Sequence, residues 1–141
     1  DYIRFFGMIP GAVVCRRIDA EERRQVYGAD AVITLEGGDW VVHAARSLTL
    51  LCTGMANVEV YGNGAVDIVL QARVKAFVFV QMFMNARVGS EGAAHVFVDR
   101  ARHVAAAAQN FSSITATNTR TANMRAVDRA RVRAVLGGHC L

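Results

Sequence analysis

Along most of this chain, apolar and polar side chains alternate with a period of two residues. From Ala56 onward the even-numbered positions are nearly all small or aliphatic, as at Val58, Val74 and Val132, whereas the odd-numbered positions carry most of the charges and amides. Successive side chains of a β-strand point to opposite faces, so this alternation predicts strands with one face turned inward. Because the parity survives from one strand to the next, the connections must also advance by an even number of residues.

A short repeat explains how the parity survives. ANVEVYGN (56–63), ARVKAFVF (72–79) and ARVRAVLG (130–137) share the form Ala-x-Val-x-Ala/Val-x-x-x, and ARVGSEGA (86–93) is a looser copy. Three positions of the unit point inward, and its last three often contain the Gly, Asn or Asp that suit a corner. A repeated strand and corner of roughly eight residues builds a β-solenoid, whose coils pair with the coils above and below. Two units per coil would give a flattened tube and three a triangular prism, and the sequence does not decide between them.

These units resemble tandem octapeptide repeats of the A-x-V-x-A-Y-G-x kind, which occur in predicted bacterial β-solenoid proteins. The resemblance extends from about Ala56 to Gly138 and is interrupted between Val80 and Asn85. It implies a solenoid architecture and suggests a bacterial or phage assembly as the setting. We therefore expect the protein in the cytoplasm or within such an assembly.

An N-terminal cap is predicted for residues 1–30, ahead of one continuous solenoid domain at residues 31–141. In DAEERRQVYG, Asp19 is a candidate N-cap, Glu22 lies three residues later as in a capping box, and Gly28 is suited to end a helix. We predict a short helix there, which together with the apolar FFGMIPGAVV before it would cover the edge of the first coil. The C-terminal GGHCL is too short for a cap, so that end is expected either to oligomerise or to continue into further chain.

Composition narrows the class of protein. Apolar residues make up 53% of the 141 residues and charged residues 20%, which argues against disorder. A membrane span needs roughly 20 apolar residues, and the best run, AFVFVQMFM, is far shorter, so no transmembrane segment is predicted. Three cysteines without a C-x-x-C pair favour a reducing compartment.

An outward apolar stripe is the first candidate binding feature. Phe77, Phe79 and Phe83 all have outward parity and predict a face that packs against another subunit, so we expect a homo-oligomer. Four residues at the sixth position of their units share this parity and either extend the stripe or turn inward at a corner; we favour the inward interpretation. These residues are Tyr61, Val69, Val127 and Val135.

A basic C-terminal third is the second candidate. Seven of the sixteen lysines and arginines, but only one of the twelve acidic residues, lie from Arg100 onward. If stacked coils align the arginines, they form a basic ladder for an acidic polymer such as nucleic acid, lipopolysaccharide or an acidic glycan. The alternative is a solvated surface that adds solubility. The candidate residues are Arg120, Arg125, Arg129, Arg131 and Arg133.

Other chemistry finds little support in the sequence. His95 and His103 lie eight residues apart without a third ligand nearby, so no metal site is predicted. The threonines of TATNTRT do not recur sixteen residues earlier, which disfavours an ice-binding array.

The sequence contains no recurrent carboxylate pair, G-x-S-x-G, P-loop or G-x-G-x-x-G. We predict no catalytic or cofactor-binding residues. The favoured function is a structural, self-associating solenoid module; the alternatives are a polyanion-binding module and, less favoured, a carbohydrate-active β-helix.

Overall fold

The computed structural model describes residues 11–18, 21–28 and 30–136. Across these ranges the chain forms fourteen strands and no helix. The strands are β1 (Ala12–Ile18), β2 (Glu21–Tyr27), β3 (Ala31–Glu36), β4 (Asp39–Ala44), β5 (Leu48–Thr53), β6 (Asn57–Tyr61), β7 (Asp67–Ala72), β8 (Phe77–Gln81), β9 (Asn85–Ser90), β10 (His95–Asp99), β11 (His103–Ala108), β12 (Ser113–Thr119), β13 (Thr121–Ala126) and β14 (Arg131–Leu136).

From β3 onward the chain winds into six coils that have one strand in each of two sheets. An eight-stranded sheet, the long sheet, has the order β14-β12-β10-β8-β6-β4-β1-β2, and a six-stranded sheet, the short sheet, has the order β13-β11-β9-β7-β5-β3. Neighbouring strands of successive coils are parallel. The predicted all-β solenoid is therefore confirmed, and of the two shapes left open the chain adopts the coil with two strands.

Each regular coil is 18 residues long, because partners across coils such as His95 and Ser113 are 18 residues apart. The same spacing aligns polar side chains into columns: Asn85 Nδ2 donates to Asp67 Oδ1 at 2.9 Å, and Gln109 Nε2 donates to Glu91 Oε2 at 2.9 Å. Each such pair ties one coil to the next.

The interior is filled by aliphatic columns from both sheets. Val58, Val78 and Val96 stack on the long sheet, with Leu50 and Leu70 on the short sheet, and all five are at most 3% exposed. At roughly 25 cal/mol per Å² of apolar surface, this continuous core is the main stabilising contribution. The inward positions predicted from Ala56 onward are confirmed at Val58, Leu70, Val78 and Val96.

Corners between the sheets interrupt the parity. At the corner from the short sheet to the long sheet, five stacked residues occupy corresponding positions and have φ between 58 and 71°. They are Gly54, Val74, Gly92, Asn110 and Asp128. The carbonyls of the first four accept backbone hydrogen bonds from the next coil, as in Ala93 N to Val74 O at 2.7 Å and Phe111 N to Gly92 O at 2.9 Å. This left-handed backbone suits Gly, Asn and Asp, which is why these residues occur near the ends of the units.

The alternation predicted that the Val74 side chain lies inside the solenoid, and the structure corrects this prediction. This side chain is 53% exposed, because the residue lies in a corner with φ 65° and not in a strand. Val58 is fully buried, as predicted, and Val132 is partly buried in the last coil. The look-alike unit ARVKAFVF therefore spans the end of β7, the corner and the start of β8, whereas ARVRAVLG leads from a corner into β14.

The N-terminal residues extend the long sheet. β1 pairs antiparallel with both β2 and β4, so Glu21–Tyr27 form a strand where a helix from Asp19 to Gly28 was predicted. This corrects the helical cap: pairing with the exposed edge of β1 satisfies the backbone groups that the local capping signals would have placed in a helix. Residues 1–10, which include most of FFGMIPGAVV, and the C-terminal GGHCL lie outside the described residues. In the ranges that the structure describes, no helix is long and apolar enough to cross a membrane.

Candidate self-association face

The outer side of the long sheet from β4 to β14 carries a contiguous group of aromatic side chains. We call it the aromatic face and define it by Tyr61, Phe77, Phe79 and Phe97 together with the outward residues beside them. Phe77 is 51% exposed, and the other three are partly exposed. Phe97 lies next to Phe79 in parallel register, one coil further along.

The rings contact one another across coils. The ring centroids are 5.6 Å apart for Phe79 and Phe97, 6.5 Å for Tyr61 and Phe79 in an edge-on arrangement, and 5.7 Å for His43 and Tyr61. Such geometries add roughly 0.5–1.5 kcal/mol per pair beyond area burial. Partial burial, and then the charge and hydrogen bond of Glu59, raise the pKa of Tyr61 above its usual value.

Phe83 does not belong to this face, which corrects its predicted outward orientation. It is 1% exposed and lies in the core. The preceding residue, Met82, has φ 68° and forms a corner, which reverses the parity so that the next side chain points inward. The ring fits because Gly62, one coil earlier, has no side chain: a Cβ there would lie 3.0 Å from the Phe83 ring.

The sixth-position residues face outward, contrary to the favoured interpretation. Val69, Val127 and Val135 are 45 to 48% exposed. Tyr61 is partly exposed and joins the aromatic face. The sequence analysis missed Phe97, and its signal was the 18-residue distance from Phe79, which becomes visible only when the coil length is known.

Charges on this face are separated along the solenoid. Asp39 starts β4 and Glu59 lies in β6, whereas Arg131 and Arg133 lie in β14, and all four side chains are exposed. Asp99, near the middle, accepts hydrogen bonds from Thr117 Oγ1 at 2.8 Å and Asn118 Nδ2 at 2.9 Å. The face is thus acidic at one end, aromatic in the middle and basic at the other end.

The five candidate arginines do not form one ladder, which corrects that expectation. Arg131 and Arg133 lie on the aromatic face and Arg125 on the outer side of the short sheet, while Arg120 and Arg129 lie at the two opposite corners of the last coil. The alignment fails because all five fall within a single coil, so they are distributed around the tube and not stacked along it. All five remain exposed.

The two histidines occupy corresponding places on opposite sheets. His95 Nδ1 lies 2.6 Å from Ser113 Oγ, and His103 Nδ1 lies 2.7 Å from Thr121 Oγ1. Each histidine therefore pairs with a hydroxyl of the following coil. No group of three His, Cys, Asp or Glu residues suited to a metal ion occurs in the described ranges.

The threonines of TATNTRT do not form a flat array. With the 18-residue coil, Thr115 lies beside Phe97 and Thr117 beside Asp99. Thr119 is fully buried at a bulge, and Thr121 begins a strand of the other sheet. These threonines therefore form no such array. Their neighbours in the adjoining coil are the residues 18 positions away, and not the residues sixteen positions away that the sequence analysis compared.

The outer side of the short sheet has two open clefts. They have volumes of about 400 and 410 Å³ and share Ala107 and Arg125 in their linings, with Gly89 in one and Arg87 in the other. Small side chains produce the depressions, and no acidic side chain lines either of them.

In a comparison with known proteins, no family model, no curated protein and no solved structure matches this chain. The function is therefore argued from the residues alone.

Proposed function

We propose that this protein is a structural β-solenoid module that associates with copies of itself through the aromatic face. The observation that carries the proposal is Phe77, which is 51% exposed on the same outer face as the contacting rings of Tyr61, Phe79 and Phe97. Fully burying a phenylalanine side chain contributes about 1.5–3 kcal/mol, and aromatic residues are enriched at protein interfaces. An aromatic face with charges separated at its two ends is well suited to a second copy of the same face.

The area available sets the strength that we expect. Six strands spaced about 4.8 Å apart, each about five residues or 17 Å long, cover about 490 Å² per copy. Two copies would bury about 1,000 Å² in total, near the lower limit for a specific interface. We therefore expect a weak complex with a dissociation constant in the micromolar range.

Sedimentation velocity across protein concentrations from about 5 to 500 µM, which bracket micromolar affinity, tests the proposal. The wild-type chain is expected to shift from monomer to a larger species, and Phe77→Ser is expected to raise the dissociation constant about tenfold. Phe111→Ser is the matched control, because Phe111 is 64% exposed at a corner away from the aromatic face. A monomer at every concentration, or an equal effect of both substitutions, would contradict the proposal.

The biological setting proposed for this module is a bacterial or phage assembly. What supports it is the resemblance of its units to the tandem octapeptide repeats of predicted bacterial β-solenoid proteins. We also propose that the chain is a member of that repeat family.

A second candidate function is binding of an acidic polymer. The last coil carries five exposed arginines and a single acidic residue, Asp128. Retention on immobilised heparin that requires more than about 0.3 M salt for elution would support this function, because phosphate or sulfate contacts release counterions. Elution at low salt would contradict the binding of an acidic polymer.

A further inference from the structure

The outward positions of the aromatic face form three columns, numbered along the strand direction. Each column takes one residue from each strand in the order β4, β6, β8, β10, β12, β14. The first column contains Asp39, Asn57, Phe77, His95, Ser113 and Arg131, and the second contains Val41, Glu59, Phe79, Phe97, Thr115 and Arg133. The third column contains His43, Tyr61, Gln81, Asp99, Thr117 and Val135. β1 lies beyond β4, and two of its residues on this side, Val13 and Cys15, form a buried cluster with Ala45 against which Val41 packs. The aromatic face is the part of the long sheet from β4 to β14.

Two copies can place this face together about a two-fold axis in two ways. If the axis runs along the solenoid, each strand lies over the same strand of the second copy. Glu59 then faces Glu59 and Arg133 faces Arg133, because both occupy the middle column. Like charges placed directly opposite each other across an interface oppose association.

If instead the axis runs parallel to the strands, midway between β8 and β10, the solenoids are antiparallel and each column faces itself in reverse order. Asp39 then faces Arg131 of the second copy, Phe79 faces Phe97, and Gln81 faces Asp99. Each of these pairs occurs twice by symmetry. Glu59 faces Thr115 and has Arg133 of the second copy one strand away, about 4.8 Å further along.

We infer that the protein forms an antiparallel two-fold pair in which the acidic end of each aromatic face meets the basic end of the other. This inference rests on the self-association proposed above. The separation of charges along the face disfavours the parallel pairing and favours the antiparallel one. The aromatic centre supplies the apolar contact, and the charges at the two ends determine the direction.

Charge reversal tests the arrangement. Asp39→Arg with Glu59→Arg makes both ends of the face basic, and Arg131→Glu with Arg133→Glu makes both ends acidic. Each double variant alone is expected to associate at least tenfold more weakly than the wild type, whereas an equimolar mixture restores association as a one-to-one heterodimer. Arg125→Glu, on the opposite sheet, is the control and is expected to leave association unchanged.

Site-specific cross-linking gives a second readout that does not depend on charge. Asn57 and Ser113 face each other only in the antiparallel pair. With Cys140 replaced by serine, a short bis-maleimide is expected to join Asn57→Cys to Ser113→Cys in a mixture, and to join neither variant to itself. Self-cross-linking of either variant, or no cross-linking in the mixture, would overturn the arrangement.

The outcomes separate the two proposals. A wild-type chain that stays monomeric overturns self-association and the antiparallel pair together. A wild-type chain that associates, while both charge-reversed variants associate equally well alone and mixed, overturns only the antiparallel pair.

Discussion

Replacing Val74 by asparagine should stabilise the solenoid. Val74 has φ 65°, in the left-handed region that costs a residue with a Cβ about 1–2 kcal/mol and is especially unfavourable for a β-branched side chain. Asparagine tolerates this conformation, and Asn110 occupies the corresponding position two coils later with φ 62°. There its Oδ1 accepts a hydrogen bond from Gly92 N at 3.1 Å.

The magnitude follows from three contributions. Relief of the backbone strain contributes about 1 kcal/mol, and a hydrogen bond from Gly54 N to the new amide oxygen contributes about 0.5–1 kcal/mol. Loss of the half-buried valine side chain costs about 0.8 kcal/mol. The expected net gain is about 1 kcal/mol, which raises the thermal midpoint by about 3 °C for a chain of this size.

Scanning calorimetry of Val74→Asn, Val69→Asn and the wild type checks this prediction. Val69 is a suitable control because it is 45% exposed, close to the 53% of Val74, but lies within β7. Asparagine is unfavourable in a strand, so Val69→Asn is expected to lower the midpoint. If Val74→Asn melts no higher than the wild type, or if both substitutions shift the midpoint equally, the argument from corner geometry is refuted.

Three further predictions concern the core. Gly62→Ala should lower the thermal midpoint strongly, because its Cβ would overlap the carbonyl oxygen of Met82 and lie 3.0 Å from the Phe83 ring. Phe83→Ala should cost about 3–5 kcal/mol in urea unfolding, whereas Phe77→Ala should cost under about 1 kcal/mol because that ring is half exposed. Burial raises the pKa of Cys52 from 9.0 to about 12, so as the pH rises the thiol loses its proton first in the unfolded chain. The free energy of unfolding measured by urea titration should therefore fall above pH 9, and it should fall less steeply in Cys52→Ala.

Each of these predictions has a result that would contradict it. Gly28→Ala is the control for Gly62, because a Cβ at Gly28 meets no atom within 4 Å; equal melting of the two variants would contradict the packing argument. Equal costs for the two phenylalanine substitutions would contradict the inward orientation of Phe83. A stability profile above pH 9 that is the same with and without Cys52 would exclude this thiol as its cause.

Period-two alternation was sufficient to predict the strands, the solenoid and most of the core, because it depends only on which face of a strand each side chain occupies. It failed at the corners, where a single left-handed residue reverses the parity. Val74 and Met82 have no local feature that marks such a residue, so the exposure of Val74 and the burial of Phe83 could not be predicted.

The candidate site depended on the coil length, which the eight-residue unit does not supply. The strands begin at Asn85, His95, His103 and Ser113, alternately ten and eight residues apart, so the coil exceeds two units. That difference of two residues decides which side chains become neighbours, and it brings Phe97 beside Phe79. The strand at Glu21–Tyr27 was missed for a different reason, because its pairing partner β1 outweighs the helix signals in its own sequence.

From β7 onward, partners in successive coils are 18 residues apart, whereas Leu48 and Ile68 in the earlier coils are 20 apart. In this regular part, the coil is a modular increment of length. A chain lacking residues 95–112 would bring Phe77 beside Ser113 with every interior column and corner still matched. Removal of sixteen residues would preserve the alternation of faces and yet set a left-handed corner against a strand. The molecule can therefore become longer or shorter by gene duplication or deletion, but only in whole turns.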